Sequence, residues 1–454
     1  MDILLINPFS WTRDGRPPYL PYGILYLAGY LRNKGFTVAV HDCNVNGDWM
    51  GTIDKIRPRF VGLTVMTGPV IKEAIKISRF VRSEYKDIQI IWGGHHPTLF
   101  PRQCLDECDY IVMGEGERPL YEFMLDVEYR DIPGLGWHDL DGSVILNDMP
   151  DNTIDMNELP MPAWDLVEVE KYVARRHWAD RVLTLNTSRG CVNQCAFCVN
   201  QKKPHHRFRS IDAARVFNQM MELKIKYCID GIQFLEDSFD INKKRVQDLC
   251  WLIRSNNIKI KWSHFGTIPG FDRYLTLNEK SAGLRHMEFG VESGSDKMLR
   301  AINKRQTREQ IKSTFQHCRK IGITTSAMFM IGLPDETEAE IKQTVDLIKT
   351  IPARFPVCSI YRPYPGTPMY EQLVESGKFK EPQTLEEQAD YYAFGELNDT
   401  VTNVSAVATG KLLHIQKYFI DRIVRQEALN CIKRFDIKSI LYYLRIIVKR
   451  MRGS

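Results

Sequence analysis

An α/β protein of two parallel-sheet units joined by a short connector is the fold class this sequence predicts. Three observations carry the prediction. Short apolar strands alternate with amphipathic helical stretches over residues 1–135 and again over 179–385, the pattern of helices packed on a parallel sheet. Glycine-rich or carboxylate-bearing segments follow the strands, where such sheets bind ligands. A proline-stiffened run, Leu159–Asp165, separates the two alternating regions.

The 454 residues allow two or three domains, and 44% apolar content supports a full core. A net charge of +5 on this length is too mild to indicate nucleic acid. Met1-Asp2 runs directly into the apolar Ile3-Leu4-Leu5-Ile6, so no signal peptide is expected, and no apolar run is long enough for a bilayer. A cytoplasmic, reducing setting follows, in which clustered cysteines are metal ligands rather than disulfides. Of the eleven cysteines, the scattered Cys43, Cys104, Cys108, Cys228, Cys250, Cys318, Cys358 and Cys431 read mostly as small buried hydrophobes.

In residues 1–135 the strands are expected at Ile3–Asn7, Thr37–Asp42, Phe60–Met66, Ile88–Gly93 and Tyr110–Met113, with helices between them such as Ile24–Lys34 and Pro69–Tyr85. This is a Rossmann-like, flavodoxin-like order of elements. The strands end in Asn7, in Thr64-Val65-Met66-Thr67-Gly68, in Gly93-Gly94-His95-His96 and in Gly114-Glu115-Gly116-Glu117. Glycines there admit a bulky ligand close to the backbone. No Gly-x-Gly-x-x-Gly follows the first strand, which argues against a dinucleotide. Residues 136–178 read as a connector, with a hairpin over Gly136–Asn147 turning at Asp141-Gly142.

The second unit opens with Ser188-Arg189-Gly190-Cys191-Val192-Asn193-Gln194-Cys195-Ala196-Phe197-Cys198, behind the apolar Val182, Leu183 and Leu185. Thiolates suit zinc or iron–sulfur clusters. Two guests fit three thiols in one loop: a zinc ion completed by a distant ligand such as His205 or His206, or a cubane with one iron left open. Further strands are expected at Ile229–Leu235, Ile258–Phe265, His286–Val291, Thr324–Met330 and Val357–Tyr361. Six parallel units make a partial (β/α)6 TIM-type barrel whose reactive face is the carboxyl end of its strands. That face carries Glu236-Asp237, Glu292-Ser293, Gly332-Leu333-Pro334-Asp335 and Pro363–Pro368.

The Cys-x3-Cys-x-Phe-Cys pattern resembles that of the radical S-adenosylmethionine (SAM) superfamily. The resemblance implies that Cys191, Cys195 and Cys198 hold a 4Fe–4S cluster whose open iron is chelated by SAM, which the reduced cluster cleaves to a 5′-deoxyadenosyl radical. It implies SAM contacts from Phe197, Glu236, Asp237, Glu292, Ser293 and Gly332. Asp335 stands where the family usually has Gly, and the arginine many relatives carry near the third strand is missing, Gly266-Thr267-Ile268 standing there instead.

The amino-terminal unit looks like the cobalamin-binding domain fused to one radical SAM subfamily. Asn7, Thr64, Met66, Thr67, Gly68, Gly93, Gly94, His95, His96, Glu115, Gly116 and Glu117 would surround the corrin and its nucleotide tail. Asp42–Gly47 imitates a cobalt-histidine motif, but it follows the wrong strand, and no histidine is expected below the cobalt. Trp11 or Tyr19 would cover that face. The implied reaction is methyl transfer through methylcobalamin to an unactivated carbon of a small molecule or lipid, with flavodoxin or ferredoxin as electron donor. Oxidative cyclisation or ring rearrangement is the alternative, and a noncatalytic cobalamin sensor is a third reading. Residues 386–454 read as helical. Ile437, Ile440, Leu441, Leu444, Ile447 and Val448 lie opposite Lys438, Arg445, Lys449, Arg450 and Arg452, a helix suited to packing on the barrel or to lying at the inner membrane face.

Overall fold

The structure is a computed structural model that describes residues 1–10, 17–149, 153–201, 207–391 and 403–433. Trp11, His205, His206 and the cationic helix at 437–448 lie outside the described residues.

The first sheet contains β1 (Ile3–Asn7), β2 (Val38–Asp42), β3 (Phe60–Thr64), β4 (Gln89–Gly93) and β5 (Tyr110–Val112), all parallel, followed by antiparallel β6 (Leu135–His138) and β7 (Val144–Leu146). Its order is β2-β1-β3-β4-β5-β6-β7. Alternate residues of each strand enter two different cores. Leu4 and Ile6 pack with Ile71, Ala74 and Val81 of helix Val70–Glu84, while Ile3 and Leu5 pack with Ile24, Ala28 and Leu31 of helix Tyr22–Asn33. Because both faces are covered, these strands read as continuous apolar runs. The hairpin β6–β7, a connector by sequence, extends this sheet, with Trp137 opposite Tyr110. Its turn closes where expected, with Gly142 at φ 82° and Asp139 N–H donating to Ser143 O at 2.8 Å.

The second sheet holds β8 (Ala174–Arg176), antiparallel at one edge, and the parallel β9 (Ala179–Leu185), β12 (Gly231–Phe234), β13 (Lys261–Gly266), β14 (Leu284–Glu292), β15 (Thr324–Ile331) and β16 (Phe355–Ile360). Two short strands, β10 (Ser188–Arg189) and β11 (Arg209–Ser210), pair antiparallel above it. Helix Thr409–Lys433 lays Leu412 and Phe419 on the edge strand β16, covering backbone groups that an open edge would expose. Among the described residues no helix is long and apolar enough to cross a membrane.

The two units share one interface. Tyr22 and Tyr26 hydroxyls donate to Thr184 O (2.5 Å) and Asn186 O (2.9 Å) of the first barrel strand and the loop after it. The segment Leu159–Asp165 crosses over the same helix, and Ala163 N–H donates to Leu25 O. A Cβ on Gly29 would lie 2.5 Å from Met161 O, so the crossing needs glycine there. The run read as a plain linker is part of the core, through Leu159 and Trp164.

Behind the barrel, His264 lies 3.3 Å from Glu279, both fully buried, with Asp240 adjacent. Burial alone would push the imidazole down, but Glu279 and Asp240 hold it up, to about 8. A folded value above the unfolded 6.5 stabilises fully below pH 6.5 and is lost as pH rises through 8. Unfolding experiments across that window should show about 2 kcal/mol of stability lost, and His264→Gln should flatten the slope. An unchanged slope in that variant would disprove the assignment.

Candidate active site at the barrel mouth

The cysteine loop is fixed at its neck before it reaches its thiols. Behind β9, Thr187 and Ser188 turn onto Glu236, whose Oε1 accepts from Thr187 N (2.7 Å) and Thr187 Oγ1 and whose Oε2 accepts from Ser188 Oγ (2.5 Å) and Arg245 Nη2 (3.1 Å). The Glu236 and Arg245 side chains are 0% and 3% exposed. Gly190 then takes φ 85° to release Cys191. Cys198 N–H donates to Cys195 O (2.9 Å), Ala196 N–H to Ile302 O (2.9 Å) and Asn303 Nδ2 to Gln194 O (2.6 Å), tying the loop to the segment after β14. Cys195 is buried, and Cys191 and Cys198 are half-buried. Burial pushes the Cys195 thiol up and the Cys198 thiol to about 11, so thiolates here need cationic partners.

Three thiols in one short loop are a donor set for an iron–sulfur cluster. Among the described residues no three His, Cys, Asp or Glu side chains converge on a single metal ion; a cubane instead spreads its thiolates over three irons.

Across the mouth, Glu292 follows a bulge in β14 and sits at φ 65°, a left-handed position that β14 and its neighbours impose on a non-glycine residue. Its Oε1 accepts from Lys304 Nζ at 2.9 Å, and both side chains are largely buried. Burial opposes the ammonium, but Glu292 and the nearby Cys195 outweigh it and raise the Lys304 pKa. Lys304 also lies 5.8 Å from the Phe197 ring centroid. Nothing local in the sequence marks Lys304; the short helix Asp296–Ala301 brings it back to the strand end.

Of the other residues expected around SAM, Asp237 is exposed beside the mouth. Gly332 takes φ 80°, and its N–H donates to Glu336 Oε2 at 2.7 Å. Asp335 adopts φ 58° itself, an angle Asp tolerates, with Lys378 donating to its Oδ1. Two others turn inward in this structure. Glu236 has both oxygens occupied inside the protein, because Arg245 and the loop neck lie behind it. Ser293 is fully buried and bonds Thr344 Oγ1 at 3.1 Å, so its hydroxyl shapes the turn and does not face the mouth.

Between the carboxyl ends of the two sheets lies a cavity of about 400 Å³. Thr64, Gly93, Gly94, His95, Glu115, Gly116 and Glu117 line it from the first unit, and Ser188, Arg189, Gly190, Arg209 and Asp237 from the second. It continues into an apolar cleft beside Leu5, Ile24, Ile91 and Leu120. A Cβ on Gly94, at φ 100°, would stand 3.2 Å from Thr64 Oγ1. An apolar cleft with a polar, glycine-lined rim fits a corrinoid with an inserted tail.

Asn7, Met66, Thr67, Gly68 and His96, also expected around cobalamin, are not among the residues that line this cavity. Asn7 Nδ2 donates to Asp42 Oδ1 at 3.0 Å. Met66 is 47% exposed, away from the cavity. Gly68 O accepts from Ile71 N–H at the start of a helix. Thr67 and His96 are buried and bond each other at 3.2 Å; burial pushes the His96 pKa down to about 3. Glu115 and Glu117 line the cavity, but arginines from the second unit engage their carboxylates. Arg189 pairs with Glu117 at 2.5 Å and Glu115 at 3.4 Å, and Arg209 with Glu115 at 2.5 Å. Burial would raise the Glu115 pKa, but the two guanidinium groups hold it below its ordinary value.

This glycine-lined cleft beside a three-thiol loop points to a class, and the family models identify it. The model of the radical SAM superfamily matches residues 185–348, and that of the B12 binding domain matches residues 16–124. The chain is a radical SAM enzyme that carries a B12-binding domain ahead of its radical SAM domain. SAM, a 4Fe–4S cluster and cobalamin are its cofactors. It is 29% identical over 371 residues to an uncharacterized methyltransferase of Pyrococcus horikoshii, covering 78% of each chain. It is 26% identical over 461 residues to the anaerobic magnesium-protoporphyrin IX monomethyl ester cyclase of Rubrivivax gelatinosus, covering 96% of this chain and 82% of the relative. The solved radical SAM methyltransferase TsrM from Kitasatospora setae, with cobalamin and an iron–sulfur cluster bound, shares the fold at TM-score 0.71 and 21% identity, over 83% of this chain and 78% of that one.

Proposed function

We propose that this enzyme transfers a methyl group from SAM, by way of cobalamin, to an unactivated carbon of a small-molecule, lipid or cofactor precursor. The observation that carries the reading is the single cavity that joins the glycine-rich strand ends of the first unit to Ser188–Gly190, the residues immediately before Cys191. Reactants held on either side meet across one short gap, and holding them in line is the protein's main contribution to rate.

In this reading Cys191, Cys195 and Cys198 hold the cluster. Lys304 faces the carboxylate of SAM, taking the part of the arginine missing after β13, and Glu292 takes its hydroxyl or ammonium groups. When bound, the cofactors supply radical hydrogen abstraction and methyl transfer. The chain's own residues orient SAM, through the Lys304–Glu292 pair, and limit water, through the buried Cys195. Arg189 ties the cysteine loop to Glu115 and Glu117 at the corrinoid rim. An electron donor of the flavodoxin or ferredoxin kind would reduce the cluster.

Oxidative cyclisation is the second reading, favoured by the cyclase relative that spans nearly the whole chain. Product analysis separates the two. Protein reconstituted without oxygen with iron, sulfide and hydroxocobalamin, then given SAM, reductant and a substrate, should release S-adenosylhomocysteine and 5′-deoxyadenosine in equal amounts. Deoxyadenosine without the homocysteine product would establish cyclisation. No cleavage of SAM at all would leave only a cobalamin sensor.

A further inference from the structure

The barrel interior is polar where a parallel barrel ordinarily packs branched apolar side chains. Strand alternation sends Ile232, Phe234, Met287 and Phe289 outward into the helix-covered core. The opposite face carries a row set by register, Thr184, Gln233, Ser263, His286 and Thr324, neighbours across five adjacent strands. Below it Trp178 fills the space over Gly231, where a Cβ would come within 2.7 Å of the indole. The next row up is Phe265, Glu288, Ser326 and Phe355. Thr184, Gln233, Ser263 and His286 of the lower row are buried and Thr324 is half-buried; Phe265 and Glu288 are half-buried, and Val357, one row higher, is exposed. The interior is a cup, closed below and open toward the cysteine loop.

Most of this floor is internally bonded. Arg176 Nε donates to Gln233 Oε1 (3.2 Å), Gln233 Nε2 to Glu288 Oε1 (2.9 Å), and His286 spends both ring nitrogens on Thr324 Oγ1 and Ser326 Oγ, each at 2.9 Å. Three oxygens are left over. Thr184 Oγ1 and Ser263 Oγ are buried without a hydrogen-bond partner, in side chains only 4% and 0% exposed. Glu288, only half-buried, accepts one side-chain hydrogen bond among the described residues, from Gln233 at Oε1, which leaves Oε2 without one. Buried polar atoms left unpaired cost free energy and mark where a partner belongs.

We propose that this cup binds the ammonium head of an amine-bearing substrate, with Glu288 as its counter-ion and the Thr184 and Ser263 hydroxyls as its remaining acceptors. The proposal rests on the enzymatic reading above and adds the class of molecule it acts on. A primary ammonium carries three donors and no acceptor, which matches three unfilled oxygens of which one belongs to a carboxylate. A carboxylate or phosphate head would face Glu288 and be repelled. A hydrocarbon or porphyrin body alone would leave all three oxygens unpaired. Burial raises the Glu288 pKa, and the hydrogen bond from Gln233 and the charge of Arg176 oppose it only in part, so no close cation neutralises the carboxylate. Arg176 does not fill that role: its Nε is spent on Gln233, and its guanidinium stands 5.9 Å from the Tyr19 ring. In the row of Glu288, Phe265 and Phe355 supply apolar surface for the carbon body, and Met328 in the next row continues it toward the mouth.

Calorimetric titration of the reconstituted full-length protein with three matched probes tests this. 2-Phenylethylamine should bind at least about tenfold more tightly than 2-phenylethanol or 3-phenylpropionate, and Glu288→Gln should abolish that preference. Ser263→Ala should weaken amine binding without reversing the order. Cobalamin uptake and iron content of each variant report whether it is folded. Equal binding of the alcohol, stronger binding of the acid, no binding of any probe, or an amine preference that survives in folded Glu288→Gln would overturn the proposal. SAM cleavage in the absence of any probe is read separately; its loss with amine binding intact would sink the enzymatic reading and leave the cup as an amine site.

Discussion

Replacing Cys195 by alanine should reduce SAM cleavage to background while cobalamin binding stays within about threefold of the parent, because distant sites act independently. Cys195 is the most buried of the three loop thiols, and Ala196 beside it is bonded to both Ile302 and Met369. The loop holds no fourth cysteine to replace it. It does not line the cavity between the sheets, so the corrinoid site has no reason to fail with it. Iron and sulfide content, deoxyadenosine formation and hydroxocobalamin uptake are the measurements. Cleavage that persisted in the variant would remove the cysteine loop from the chemistry, and cobalamin loss in parallel would show that the two sites form one cooperative unit.

Arg245→Met should be the most destabilising single change near the site. It strips Glu236 of its guanidinium partner at a place where neither side chain reaches water, and breaking one half of a buried pair costs about 3–5 kcal/mol. Arg245 also donates to Thr187 O at 3.1 Å and packs its guanidinium 4.8 Å from the Phe239 ring centroid. The neck of the cysteine loop should loosen as well, lowering cluster occupancy. Denaturation and iron content check the two effects separately. The double change with Glu236→Gln should recover part of the stability, since no buried charge then lacks a partner. A loss under about 1 kcal/mol for Arg245→Met would mean the pair contributes no more than a surface contact.

The parts of the molecule legible from the sequence share one property: their signal is local. Ile3–Asn7 and the strands after it are apolar runs bounded by turn residues, and a strand buried on both faces needs no further information. The ends drift more. Met66 reads as strand, yet β3 stops at Thr64, because pairing with β4 ends there. The hairpin turn at Asp141-Gly142 was readable, but not its partner, since the edge offered by Tyr110–Val112 lies some twenty-five residues back.

What this sequence determined by itself is which segments stand at the strand ends: the three thiols, Glu292 and the glycines facing the cavity all lie where motif and spacing put them. Tertiary structure alone decided which way each side chain turns. Glu236 and Ser293 occupy strand ends as expected, but Arg245 and Thr344 lie behind them and draw them inward. Lys304, twelve residues past Glu292, reaches the mouth only because the chain folds back over it. Arg189 and Arg209 meet Glu115 and Glu117 only because two separately encoded sheets pack end to end. Spacing along a chain encodes the period of an element, while the partner of a charge depends on distances in space, which no local pattern contains.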